Sequence, residues 1–215
     1  EMESYERKLR ERKAIAAGAT FDVNDQSATL GSLSGGSGTL DLGLGSLAAS
    51  DDIDLTGITV VIAAAGSGNQ TLRAGSDGSG SLIVDALTKS STGNLTLIAP
   101  TLIDINGDVA VNAGNLSINN AFNAAGDLTA SGDITLSGLG TLDGAAAQSI
   151  DAQGGTLTTI GLSKTVGGGG NLSLGGGTAI TAGGENGRSI ISGPRAIRVG
   201  GGTTLTCVSV TGVGT

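Results

Sequence analysis

The chain has 215 residues, of which 40 are Gly and 2 are Pro, with no Trp, no His, one Tyr, two Phe, one Cys and a formal net charge of −8. Three aromatic side chains are too few to fill a conventional globular core of this length. The lack of His removes the commonest general base and zinc ligand, and a single Cys excludes an internal disulfide framework or a multi-cysteine metal site. The acidic balance, with a pI near 4.3, argues against nucleic acid as a partner. Collagen would need Gly at every third position, which is not the pattern here. Disorder is opposed by a hydrophobic fraction of 38% and a mean hydropathy of +0.21. No run of about 18 apolar residues is present to span a membrane, and the charged N-terminus does not read as a signal peptide. A repeat architecture with a narrow, aliphatic interior remains.

Residues 1–18 read as a charged helical lead-in or cap. Within 1–17 lie five basic and four acidic residues and no Gly or Pro, and Glu3 with Arg7 or Glu6 with Arg10 can pair across one turn. Tyr5, Leu9 and Ile15 make a thin apolar stripe, and Gly18 is placed to end the helix.

From Ala19 to Thr215 the composition changes, and one phrase recurs: Gly, then Asn or Asp, then aliphatic, small polar, aliphatic. Its strict copies begin at Gly93, Gly107, Gly114, Gly126, Gly132 and Gly170, at separations close to multiples of six or seven residues. The period of two predicts short strands with one dry and one wet face. Gly-Asn and Gly-Asp are expected to supply a turn through left-handed backbone before each strand. A chain that turns this often is expected to coil, with two or three strands per rung and each strand above its counterpart in the previous rung. Leu95, Leu97, Ile103, Ile105, Val109, Val111, Leu116, Ile118, Leu128, Ile134, Leu136, Leu172 and Leu174 are the expected inward positions. The fold class is thus all-β: a parallel β-helix (β-solenoid) of about ten rungs over 19–215, with a short N-terminal α-helix. Near the C-terminus the phrase fades, and Cys207 reads as a small inward hydrophobe.

Chemistry is sparse. Gly75–Leu82 resembles a single calcium-binding Gly/Asp turn, but such ions are shared between tandem copies, so an ordinary turn is expected. Asp51, Asp52 and Asp54 form the densest acidic cluster and read as a solvated loop. Asp108, Asp127 and Asp133 recur at turns without the aromatic platforms of a sugar-cleaving site. The Gly-rich run 167–170 precedes a strand, not a phosphate-binding helix N-terminus. Asn-x-Ser/Thr triplets start at Asn69, Asn94, Asn115 and Asn171, three of them inside the recurring phrase. No catalytic, cofactor-binding or metal-ligating residue is assigned, no cofactor is expected, and the chain does not read as an enzyme.

The stretch Ala19-Thr-Phe-Asp-Val through Gly-Thr-Leu-Asp-Leu42 resembles bacterial autotransporter passenger repeats. Residues 104–138, Asp-Ile-Asn-Gly-Asp-Val-Ala-Val through Gly-Asp-Ile-Thr-Leu-Ser-Gly, are similar to repeats of filamentous-haemagglutinin-type adhesins. The resemblance covers most of 19–182 and implies a right-handed β-helix outside a Gram-negative cell, associated with the outer membrane through a separate translocator. It implies a structural stalk or adhesive segment of a secreted, surface-displayed adhesin acting in cell adhesion and virulence, with a host or neighbouring-cell protein or glycan as partner. The alternatives are a self-associating filament or surface-layer subunit and, second, a polysaccharide-acting β-helix enzyme.

Overall fold

A computed structural model describes residues 12–23, 27–62, 68–164, 172–176, 179–182, 190–193, 197–200, 204–206 and 209–212, with side chains described between 14 and 176. Its strands fall into three all-parallel sheets, and each sheet takes every third strand of the chain. On the first face Ser81–Val84 pairs with Leu102–Ile105, which pairs with Phe122–Ala124, then Gly140–Leu142, then Leu162–Lys164. The second face stacks Leu87–Lys89, Val109–Val111, Leu128–Ala130, Gln148–Ala152 and Leu172–Gly176. The third stacks Gln70–Arg73, Leu95–Ile98, Leu116–Asn119, Ile134–Leu136 and Thr156–Thr159. This is a parallel β-solenoid with three strands per turn and about seven turns in the residues whose side chains are described. Strands from Ala179 to Gly212 follow the same sheet order; the expected total of about ten rungs extends beyond the described side chains.

Register explains the repeat seen in sequence. Ile103 lies beside Phe122 and Phe122 beside Gly140, steps of 19 and 18 residues, so a unit of six or seven residues is one face of a three-sided turn. Because strand side chains alternate, alternate residues point inward and stack in columns about 4.8 Å apart. One column on the third face runs Leu72, Leu97, Ile118 and Leu136, and one on the second runs Leu87, Val109, Leu128 and Ile150; all are at most 1% exposed. All thirteen aliphatics expected inside are buried. The interior is narrow, and the single buried aromatic among the described residues, Phe122, is accommodated because its neighbour in the next turn is Gly140, where a β-carbon would run into the Phe122 ring.

The lead-in departs from expectation. Arg12–Ala14 is a strand, pairing in parallel with Ser32–Ser34, and Ile15 is buried beneath the first turn with its N–H on the Ser34 carbonyl (3.3 Å). A ready sheet edge and a buried Ile outweigh the helix propensity of this short segment. Gly18 has φ +72° but sits in the corner between Arg12–Ala14 and the strand Thr20–Asp22, so it turns the coil instead of ending a helix. No helix occurs among the described residues. Residues 1–11, including Glu3, Tyr5, Glu6, Arg7, Leu9 and Arg10, lie outside them.

Candidate functional site: the stacked corners

The recurring phrase lies at the corners, and its Asn and Asp side chains join one turn to the next. On entry to the third face, Asn94 N–H donates to Asn69 Oδ1 (2.9 Å), Asn115 N–H to Asn94 Oδ1 (3.1 Å), Asp133 N–H to Asn115 Oδ1 (2.8 Å) and Thr156 N–H to Asp133 Oδ1 (2.8 Å). On entry to the second face, Asp127 N–H donates to Asp108 Oδ1 and Ser149 N–H to Asp127 Oδ1 (2.8 and 2.7 Å). The residue before each strand thus supplies a side-chain acceptor that continues the backbone ladder through the corner, where the sheets themselves stop. Buried or half-buried N–H groups need such partners.

The glycines of the phrase act differently from expectation. Among the strict copies that are described, only Gly93 has a positive φ, +106°. Gly114, Gly126 and Gly132 are required by close approach: a β-carbon on Gly114 would overlap the Gly93 carbonyl, one on Gly126 the Gly107 carbonyl group, and one on Gly132 the Asn115 carboxamide. Glycine lets successive corners stack at strand spacing, so that each Asn or Asp can reach the next N–H.

Residues singled out for chemistry are engaged in the same kind of work. Asp52 Oδ1 accepts from Ser81 N–H (2.8 Å), and Asp54 Oδ1 accepts from Thr56 N–H (2.9 Å). Asp51 is in the same corner, its N–H on the Gly31 carbonyl and its carbonyl taking the Gly75 N–H. In the seven-residue corner 74–80, Asp77 Oδ1 accepts from both the N–H and the hydroxyl of Ser79, while Gly75, Gly78 and Gly80 take positive φ. Among the described residues no group of three or more His, Cys, Asp and Glu is placed to hold a metal ion. Asn69 is exposed whereas Asn94 and Asn115 are half-buried, their Oδ1 atoms in the ladder; Asn171, Cys207 and the run 167–170 lie outside the described residues.

Two interior polar clusters escaped the sequence reading. Gln148 opens its strand directly after the five-residue corner 143–147, and its Nε2 donates to the Ala124 and Gly126 carbonyls (2.8 and 3.1 Å). Lys164, 3% exposed, closes its strand one turn later and donates to Gln148 Oε1 (2.6 Å) and the Gly144 carbonyl (2.5 Å). The other cluster repeats the plan. Gln70 opens its strand after the seven residues 63–69 and donates through Nε2 to the Gly43 carbonyl (3.3 Å). Lys89, fully buried, closes its strand before the corner 90–94 and donates to Ser91 Oγ (2.7 Å) and the Thr92 carbonyl (3.3 Å). Burial lowers the pKa of both lysines; for Lys164 the Asp143 carboxylate opposes that shift. On the outer surface, burial first and Asp143 second raise the pKa of Asp104.

The first cluster sits where the corner 143–147 lies over the shorter corner 125–127. There the long side chains donate to corner and strand-end carbonyls; that of Ala124 also accepts from the Asp143 N–H. A sequence signal existed: Lys or Gln in a slot that alternation assigns to an aliphatic. No family model, no curated protein and no solved structure matches this chain.

Proposed function

We propose that the chain is a stiff spacer segment of a surface-displayed bacterial adhesin, a right-handed β-helix in keeping with the usual hand of parallel crossover connections. The observation that carries this reading is the continuity of bonding through the corners. Side-chain acceptors at Asn69, Asn94, Asn115 and Asp133 carry hydrogen bonds across five successive turns, in addition to the sheets. A coil tied at its faces and at its corners resists bending and leaves few backbone groups open to proteases. The resemblance of 19–42 and 104–138 to passenger and haemagglutinin repeats supports an extracellular setting, with attachment to the outer membrane through a translocator. Adhesive contact would fall to the longer corners, such as 74–80 and 143–147, against a protein or glycan of another cell surface.

Stretching a tandem fusion of the segment between handles in a single-molecule force experiment tests the spacer role. Expected is unfolding in successive steps of about one turn at forces well above those of helical domains; extension at low force without steps contradicts it. Beads coated with the segment and washed over cell layers and glycan arrays test the adhesive part. A second reading, end-to-end self-association, is favoured by one observation: among the described residues Arg12–Ala14 is paired on one side only. An unpaired edge is a template for another chain. Concentration-dependent fibres in the electron microscope would support it, and removal of residues 1–17 should alter them. Release of reducing ends from polyanionic glycans would replace both readings with the enzymatic one.

A further inference from the structure

We infer that Lys164 is held as a neutral amine that latches two stacked corners, and that its protonation loosens the corner 143–147. The geometry fits the neutral form. An uncharged amine has two N–H donors, and Lys164 Nζ has two acceptors, the Gly144 carbonyl and Gln148 Oε1. An ammonium would bring a third N–H into a site only 3% exposed, without a third acceptor among the described residues. Neither contact is a carboxylate. Gln148 is already anchored through its own amide to the Ala124 and Gly126 carbonyls, so the amine, the carboxamide and three corner carbonyls form one closed network.

The surroundings offer little to hold a charge. The neighbour of Lys164 on the preceding strand is Leu142, and Leu162 and Ser163 of its own strand pair onward with Ile191 and Ser192. The following stretch 165–171 contains no ionisable residue; Glu185 and Arg188, which precede Ile190–Gly193, lie outside the described residues. Asp143, in the corner itself, is the one charged group among the described residues acting on the amine, and it is exposed. Lys89 repeats the two-acceptor arrangement, between Ile62 and Val111 in its column, with one difference. One turn away, Gln70 Oε1 is buried and is the one buried side-chain oxygen or nitrogen without a partner among the described residues. The corresponding atom of the other cluster, Gln148 Oε1, accepts from Lys164.

The sign follows from linkage. A lysine whose folded pKa lies below its unfolded value of 10.5 binds more protons when unfolded, so stability rises with pH between the two values and is lost as pH falls. This protein has no His, so few other groups titrate in that window. The test is denaturant unfolding of the full chain from about pH 6 to about pH 10 in a Cys207→Ser background, which removes the thiol that also titrates there. Expected is an unfolding constant that falls with rising pH, by at most about tenfold per pH unit for each linked proton. Lys164→Met should remove the Lys164 share of that dependence and leave that of Lys89, whose pKa burial also lowers, and Gln148→Glu, which sets a carboxylate on the amine, should weaken it. Amide exchange, corrected for its intrinsic rate, should quicken at 143–147 on acidification. A wild-type profile that is flat, or the same in Gln148→Glu, overturns the inference, even if Lys164→Met fails to fold.

Discussion

The turns between Leu95 and Leu136 and the polar cluster at Gln148 and Lys164 solve the same problem differently. In the first region consecutive corners have two to four residues, the glycines stack, and Asn or Asp carries the backbone ladder around the bend. Nearly every inward residue there can be aliphatic. At 143–147, two residues longer than the corner 125–127 beneath it, Gln148 and Lys164 enter the interior and donate to the Ala124, Gly126 and Gly144 carbonyls. A longer corner alone does not bring polar groups inward: 74–80 lies over 50–52 with Ala74, Leu82 and Val84 buried beside it.

The contrast can be broken most severely from the regular side. Leu97→Ala, in a column with Leu72 and Ile118 and with no exposure, should cost about 2–5 kcal/mol in denaturant unfolding. Gly114→Ala puts a methyl onto the Gly93 carbonyl and should cost roughly 1–3 kcal/mol, since the rigid backbone opposite has little room to give. Asn115→Ala removes the acceptor for Asp133 N–H and should cost about 1–2 kcal/mol, while Asn115→Asp, which keeps an acceptor oxygen, should lose much less. At the small end, Asp104→Asn sharpens the electrostatic side. Its raised pKa means that ionised Asp104 is disfavoured in the folded state, so stability falls as pH rises from 3.8 through the folded value. The Asn variant should be slightly more stable than wild type at neutral pH, within about 0.5 kcal/mol, and should lose that advantage in acid.

Much of the architecture was legible because alternation in a solenoid is strict. Leu95, Leu97, Leu116 and Ile118 could be assigned inward from their spacing alone, and the six-to-seven-residue unit proved to be one side of a three-sided turn. Two things were hidden. The strand at Arg12–Ala14 is fixed by an edge provided by Ser32–Ser34, twenty residues away, and no local pattern in a charged, helix-prone segment announces it. The phrase Gly-Asn/Asp was visible, but its mechanism was not. Propensity suggests a left-handed turn, whereas the glycine at 114, 126 and 132 makes room and the Asn or Asp bonds to the neighbouring turn, a relation seen only once corners are stacked. Lys89 and Lys164 stood in slots that alternation assigns to aliphatics, but what they bond to is set by the stacking of corners.

Cross-linking between turns tests superposition itself. Thr96 and Ser117 are register partners on the outer side of the third face, so their Cα atoms lie about 4.8 Å apart, within the span of a disulfide. In a Cys207→Ser background, Thr96→Cys with Ser117→Cys should oxidise to an intramolecular disulfide with the fold retained. Thr96→Cys with Ile118→Cys, whose side chains point to opposite faces, should not. Equal cross-linking of the two pairs, or none in the first, would contradict a coil in which each strand lies directly on the one before.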